Sequence, residues 1–250
     1  MPSRWLRIAH RGASARAPEH TRAAFEQALR LGVDMIELDV QLSRDDELVV
    51  IHDATLNRTT NGHGAVRAHA WQDLKGLDAG SWFGPGFAGE GLLRLADVLR
   101  LVGNRARLNV EMKGTAGDWP VLAEKLIGVL RAGGCFEATV VSCFEPGALE
   151  AARAVGPDVR LGLLWQSPEL AEAWQWARAL RAVSVHPHWG LVGADLVRDA
   201  HDLGLQVFAW TVNDVEVMRR LIGWRVDGII SDMPDRFAQA AGGESAHATA

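Results

Sequence analysis

The sequence predicts an α/β fold: a (β/α)8 barrel with a β-hairpin extension and a small capping insertion at its C-terminal mouth. Three observations lead there. Apolar runs of strand length alternate with helix-like runs along almost the whole chain, the pattern of a parallel sheet covered by helices. One connection between two strand-like runs is too short to hold a helix. The chain has 250 residues and 48% hydrophobic content, enough for one barrel-sized core.

Strand-like runs fall at residues 6–10, 34–42, 48–52, 107–111, 139–143, 160–164, 182–186, 206–210 and 227–231. Helix-like runs fall at 22–31, 95–102, 120–131, 147–155, 169–180, 194–203 and 215–222. In the first helix Ala24, Phe25, Ala28, Leu29 and Gly32 recur at three-and-four spacing, one apolar face for a sheet. Gly32, Gly156 and Gly204 stand where C-terminal caps belong. Nine strands are one too many for the barrel, and the cluster Ser43-Arg44-Asp45-Asp46-Glu47 resolves the excess. A parallel crossover takes about a dozen residues or more, so 34–42 and 48–52 pair as an antiparallel hairpin. With Asp45 and Asp46 at the tip, His52 comes roughly opposite Asp39.

Residues 54–91 are rich in glycine and carry Trp71, Trp82 and Phe83. They are too long for an ordinary loop and too irregular for a barrel helix, which makes them the capping insertion. The expected organisation is a single domain over 1–240 followed by a disordered tail over 241–250.

A net charge of −5 with no dense basic block excludes nucleic acid as the expected partner. Cys135 and Cys143 are the only cysteines and are expected to be reduced packing residues. No apolar run approaches the roughly 20 residues that cross a bilayer, and no charged-then-apolar leader pattern is present. Cytoplasmic placement without stable membrane association is the expectation. Oligomeric state is left open by the sequence.

The chemistry lies in islands at strand ends: His10-Arg11-Gly12, Glu37-Leu38-Asp39-Val40, His52-Asp53 and Glu111-Met112-Lys113. Barrels of this architecture gather their reacting groups at the C-terminal strand ends. Glu37 and Asp39 are two apart on a strand and share a face, and Glu111 ends the next barrel strand. Three carboxylates converging in an apolar mouth repel one another unless a cation sits between them. Oxygen donors alone favour a hard divalent ion, Mg²⁺ first and Ca²⁺ as the alternative, over zinc. His10 and His52 flank the acids and suit acid and base roles. Arg11 and Lys113 add fixed positive charge for a phosphate. Trp210 ends a strand and is read as a pocket wall; Asp53 receives no role.

These residues resemble the glycerophosphodiester phosphodiesterase family. The likeness runs through His10-Arg11-Gly12, Pro18-Glu19-His20-Thr21, Glu37-Leu38-Asp39-Val40, Val49-Val50-Ile51-His52-Asp53 and Arg58-Thr59-Thr60-Asn61-Gly62. It continues in Leu108-Asn109-Val110-Glu111-Met112-Lys113, Trp210-Thr211-Val212-Asn213 and Asp227-Gly228-Ile229-Ile230-Ser231-Asp232. Each motif is weak alone; their order and spacing together are highly specific. The resemblance implies a TIM barrel that hydrolyses small-molecule glycerophosphodiesters, such as glycerophosphocholine and glycerophosphoethanolamine, to an alcohol and sn-glycerol 3-phosphate. It places metal ligands on Glu37, Asp39 and Glu111, acid/base groups on His10 and His52, and phosphate contacts on Arg11 and Lys113. Head-group preference and the assignment of acid and base stay open. His20, Asp46 and Cys143 depart from the family's usual asparagine, glycine and serine. Two other readings compete: a lipid phosphodiesterase of the lysophospholipase D or sphingomyelinase D kind, and a non-catalytic phosphodiester-binding barrel.

Overall fold

A computed structural model of the chain describes residues 5–242. Its first half runs β1 (Leu6–His10), α1 (Arg22–Arg30), β2 (Met35–Leu42), β3 (Leu48–Val50), α2 (Trp71–Leu74), β4 (Leu93–Arg94), α3 (Leu95–Val102), β5 (Arg107–Met112) and α4 (Trp119–Ala132). The second half runs β6 (Thr139–Cys143), α5 (Pro146–Val155), β7 (Arg160–Trp165), α6 (Leu170–Ala179), β8 (Ser184–Pro187), α7 (Ala194–Asp202), β9 (Gln206–Ala209), α8 (Val215–Gly223), β10 (Gly228–Ser231) and α9 (Phe237–Ala241). Parallel pairing runs from β2 through β5 to β10 and back through β1, and the β1–β2 ladder closes the (β/α)8 barrel. Ile8, Met35, Val140, Phe208 and Ile230 fill its lumen, while a larger apolar layer packs the helices on the outside.

The extra strands lie on the upper half of β2. Val40, Gln41 and Leu42 pair antiparallel with Val50, Val49 and Leu48, and β4 extends this ribbon. The sequence placed His52 roughly opposite Asp39; the ladder is one residue off, with the Ile51 N–H on the Asp39 carbonyl at 3.2 Å. The cause is the turn. Ser43 and Glu47 close a loop of three residues, with Asp46 in the left-handed region at φ 59°, and an odd loop shifts the register by one. β3 also stops at Val50 instead of reaching His52. Beyond it the buried Gln41 side chain shares its Nε2 among the carbonyls of Ile51, His52 and Asp53, at 3.1, 3.0 and 2.6 Å. That clamp bends the chain and lets His52 face the mouth after all.

Other differences are local. β4, α2 and α9 have two, four and five residues, too short to show a period in the sequence. Gly32 and Gly204 take the left-handed conformation expected after a helix, but Gly156 is extended at φ −124°. α9 ends at Ala241; of the expected tail over 241–250, residues 243–250 lie outside the described residues. Val49, Ile51, Leu56, Val66, Leu74 and Ala79 give the insertion and the ribbon a small core of their own.

Candidate active site

Strand register assembles the mouth. His10 pairs with Glu37, Glu37 with Asn109, and Asp39 with Glu111. Side chains of paired residues in neighbouring parallel strands point the same way, so Glu37, Asp39, Asn109 and Glu111 form a two-by-two block facing the lumen. Glu37, Asn109 and Glu111 border a cavity of ≈ 80 Å³ whose polar lining also includes His10, Arg11, His52 and Lys113. The apolar lining is Phe144, Leu164, Trp210 and Ile230, and Phe144 and Trp210 meet edge to face at 5.4 Å. A larger groove of ≈ 470 Å³ lies at the opposite, N-terminal strand ends around Arg105, Arg107 and Cys135. It gathers no acid–histidine set, so the smaller cavity is the candidate site.

The turn after β1 sets Arg11. Arg11 and Gly12 both have positive φ, and a Cβ on Gly12 would come within 2.7 Å of the Ala24 carbonyl carbon. Only glycine fits this close approach of the turn to α1. The turn directs the Arg11 N–H onto the Glu37 carbonyl at 2.9 Å and its side-chain oxygen at 3.1 Å. The guanidinium reaches Glu19 at 3.0 Å and stands 3.4 Å from Asp39. Lys113 Nζ lies 3.1 Å from the other Asp39 oxygen and pairs with Glu111.

Glu37, Asp39 and Glu111 each offer an oxygen within 4.8 Å of the others, and all three are buried. Burial, then the charge of Asp39, pushes Glu37 well above the usual carboxylate range and Glu111 up to about 8. Burial acts the same way on Asp39, but Lys113, His20 and Arg11 outweigh it and hold Asp39 well below that range. Both Asp39 side-chain oxygens are buried and make no well-aligned hydrogen bond, although Lys113 and Arg11 stand 3.1 and 3.4 Å away. Three buried carboxylates that repel one another, with only oxygen to offer, fit a hard divalent ion.

Each of the two imidazoles lining the cavity is held by a carboxylate. His10 Nδ1 meets Asp232 at 2.6 Å, and Asp232 also accepts from Ser14 at 3.0 Å and Asn213 at 2.7 Å. Burial opposes ionisation of Asp232, yet the bond to His10 brings its pKa down to about 2. His52 Nδ1 meets Asp53 at 2.8 Å, and burial lowers the His52 pKa. Occupying Nδ1 in both rings leaves Nε2 for the cavity; that of His10 stands 3.9 Å from Glu37. Arg58 grips Asp53 at 2.7 and 2.9 Å and Glu19 at 2.8 Å through two nitrogens.

All eight residues singled out in the sequence therefore converge: seven line the cavity, and Asp39 sits directly behind Arg11 and Lys113. Sequence reasoning missed Asp232, whose partner is 222 residues away and becomes a neighbour only when Ala9 pairs with Ser231. It left Asp53 without a role and passed over Arg58, Gln41 and Asn109; the side chain of Asn109 is buried with its Oδ1 unpartnered. His20 takes positive φ, a region asparagine also tolerates, and accepts the Asp39 N–H at 3.2 Å. Asp46 keeps the left-handed turn that its glycine counterpart would make. The buried Cys143 thiol lies against the Met112 carbonyl at 3.1 Å.

Fixed cations suited to an anionic group, paired imidazoles able to move protons, and an oxygen cage for a hard ion place this barrel among the hydrolases of phosphate esters. Comparison with known proteins narrows the class. Residues 10–236 match the model of the glycerophosphoryl diester phosphodiesterase family. A glycerophosphodiester phosphodiesterase of Caldanaerobacter subterraneus subsp. tengcongensis is 42% identical over 231 residues, 92% of this chain and 95% of the relative. A Bacillus subtilis glycerophosphodiester phosphodiesterase is 33% identical over 94% of this chain and 86% of the relative. Among solved structures, an Oleispira antarctica phosphodiesterase in complex with the product sn-glycerol-3-phosphate superposes with TM-score 0.89. It is 30% identical, over 94% of this chain and 96% of that one. The chain belongs to the glycerophosphoryl diester phosphodiesterase family and is a phosphoric diester hydrolase of that kind. No helix among the described residues is long and apolar enough to cross a membrane.

Proposed function

We propose that this enzyme hydrolyses glycerophosphodiesters such as glycerophosphocholine and glycerophosphoethanolamine, giving an alcohol and sn-glycerol 3-phosphate, by two-histidine acid/base catalysis. The observation that carries the reading is the pair of carboxylate-held imidazoles flanking a buried acid triad. The small-molecule product bound by the Oleispira antarctica relative supports the substrate class. The two free cysteines, Cys135 and Cys143, accord with a cytoplasmic setting.

Glu37, Asp39 and Glu111 would hold Mg²⁺ or Ca²⁺. Such an ion supplies positive charge for the non-bridging oxygens and lowers the pKa of an attacking hydroxyl. Arg11 and Lys113 receive the phosphate, the first through a planar fork and the second as a point charge. One Nε2 accepts the proton of a glycerol hydroxyl as it attacks phosphorus, and the other donates to the alcohol oxygen as its P–O bond breaks. Water, deprotonated in the same way, then opens the cyclic phosphate to sn-glycerol 3-phosphate. Asp53 and Asp232 keep both Nδ1 atoms occupied, so each ring works through the nitrogen that faces the substrate. Trp210 and Phe144 close the apolar side of the cavity.

A substrate panel crossed with a metal panel tests this. Purified protein should release sn-glycerol 3-phosphate from at least one deacylated diester. No turnover of any head group with either ion would defeat the reading. Faster turnover of lysophospholipid would reassign the substrate.

A further inference from the structure

Arg58 lies in the 54–91 insertion and does not line the cavity, yet it touches both sides of the chemistry. Its Nε and one terminal nitrogen bind the two oxygens of Asp53 at 2.7 and 2.9 Å, and Asp53 holds His52 at 2.8 Å. Its terminal nitrogens bind the two oxygens of Glu19, each at 2.8 Å, and Glu19 takes the Arg11 guanidinium at 3.0 Å. One planar cation thus spans His52-Asp53 and Glu19-Arg11. An isolated exposed ion pair contributes little, but a guanidinium engaged with two carboxylates at once fixes direction as well as charge. The hydrogen bonds to Arg58 also hold Asp53 below the usual carboxylate range. For Glu19, burial opposes ionisation, and Arg58 first, then His20 and Arg11, bring it down to about 2.

We propose that Arg58 is a positioning residue through which the insertion sets the spacing between the imidazole of His52 and the guanidinium of Arg11. The idea rests on the acid/base reading of His52 given above. Lysine cannot replace Arg58, because a single ammonium cannot engage both carboxylates in parallel pairs. The role concerns the orientation of groups that act in the transition state, so its loss appears mainly in kcat.

The test compares Arg58→Gln, Arg58→Lys and Arg58→Ala with wild type, below their melting temperatures, on glycerophosphocholine. Arg58→Gln should lower kcat by about 10- to 100-fold, the scale of an ångström-sized misplacement, with KM changing much less. Arg58→Lys should fall with it, and added guanidinium ion should restore part of the loss in Arg58→Ala. In a His52→Ala background, Arg58→Gln should cost much less than in wild type. A second readout is independent of turnover: the Asp53-bound Nδ1 proton of His52, followed by NMR, should be lost in Arg58→Gln. Unchanged kcat with that proton retained would overturn the proposal, as would an equal loss in both backgrounds. An inactive wild type that loses the His52 signal on Arg58→Gln would uphold the positioning and overturn the acid/base reading instead.

Discussion

Replacing Glu111 by glutamine should strengthen the metal-free fold and weaken the metal-bound one. Glu111 is raised from 4.5 to about 8, first by burial and then by Asp39. A carboxyl whose folded pKa exceeds its unfolded value gives its full support below the unfolded value and loses it as pH rises through the folded one. Between pH 4.5 and 7 that loss integrates to about 3 kcal/mol, the most that removing the charge can return. Glutamine still has to be buried, so about half of this, or a rise of roughly 3–6 °C in Tm, is the expected gain. With ion present the sign reverses. An ion at about a hundred times its Kd adds about 2.7 kcal/mol to wild type, and the variant, short of one carboxylate, gains less. Thermal melts after chelation, near pH 5 and near pH 8, with and without Mg²⁺ or Ca²⁺, read both effects. The chelated variant should match wild type more closely at the acid end and exceed it at the alkaline end. A variant that melts lower than chelated wild type near pH 8, or gains as much from the ion, would refute the reasoning.

Three further outcomes follow from the same geometry. His10→Ala and His52→Ala should each lower kcat by at least about 10²-fold, and near wild-type rates in either would remove that histidine from the mechanism. Asp232→Asn keeps the shape around His10 but not the charge that fixes its Nδ1 proton; kcat should fall at least about 10-fold while the fold is retained, and an unchanged rate would make Asp232 merely structural. Burial lowers the His186 pKa to about 3, so the unfolded chain binds the extra proton first as pH falls below 6.5. Stability from this group is intact above that value and lost on acidification, by about 2 kcal/mol near pH 5. Urea unfolding should show wild type losing that much more than His186→Gln between pH 7.5 and 5, and parallel losses would contradict it.

The barrel was legible because its strands and helices are long enough to show a period, and because a five-residue turn cannot contain a crossover helix. The acid triad was legible because Glu37 and Asp39 share a strand face and Glu111 lies near the end of the neighbouring strand, relations set by pleat and register alone. What lay outside the sequence depends on contacts between distant segments. The hairpin register turned on one residue of loop length, and the bend that aims His52 depends on Gln41 finding three carbonyls. Asp232 reaches His10 only through barrel closure, and Arg58 reaches Glu19 only when the insertion folds against the turn after β1. Elements of two to five residues carry too little pattern to announce themselves.

Initial rates of sn-glycerol 3-phosphate release from glycerophosphocholine, before and after a divalent ion is returned to chelated protein, test the central claim most directly. The buried triad and paired imidazoles require a rate near zero under chelator and its recovery with Mg²⁺ or Ca²⁺. Full activity under rigorous chelation would contradict this account of the site.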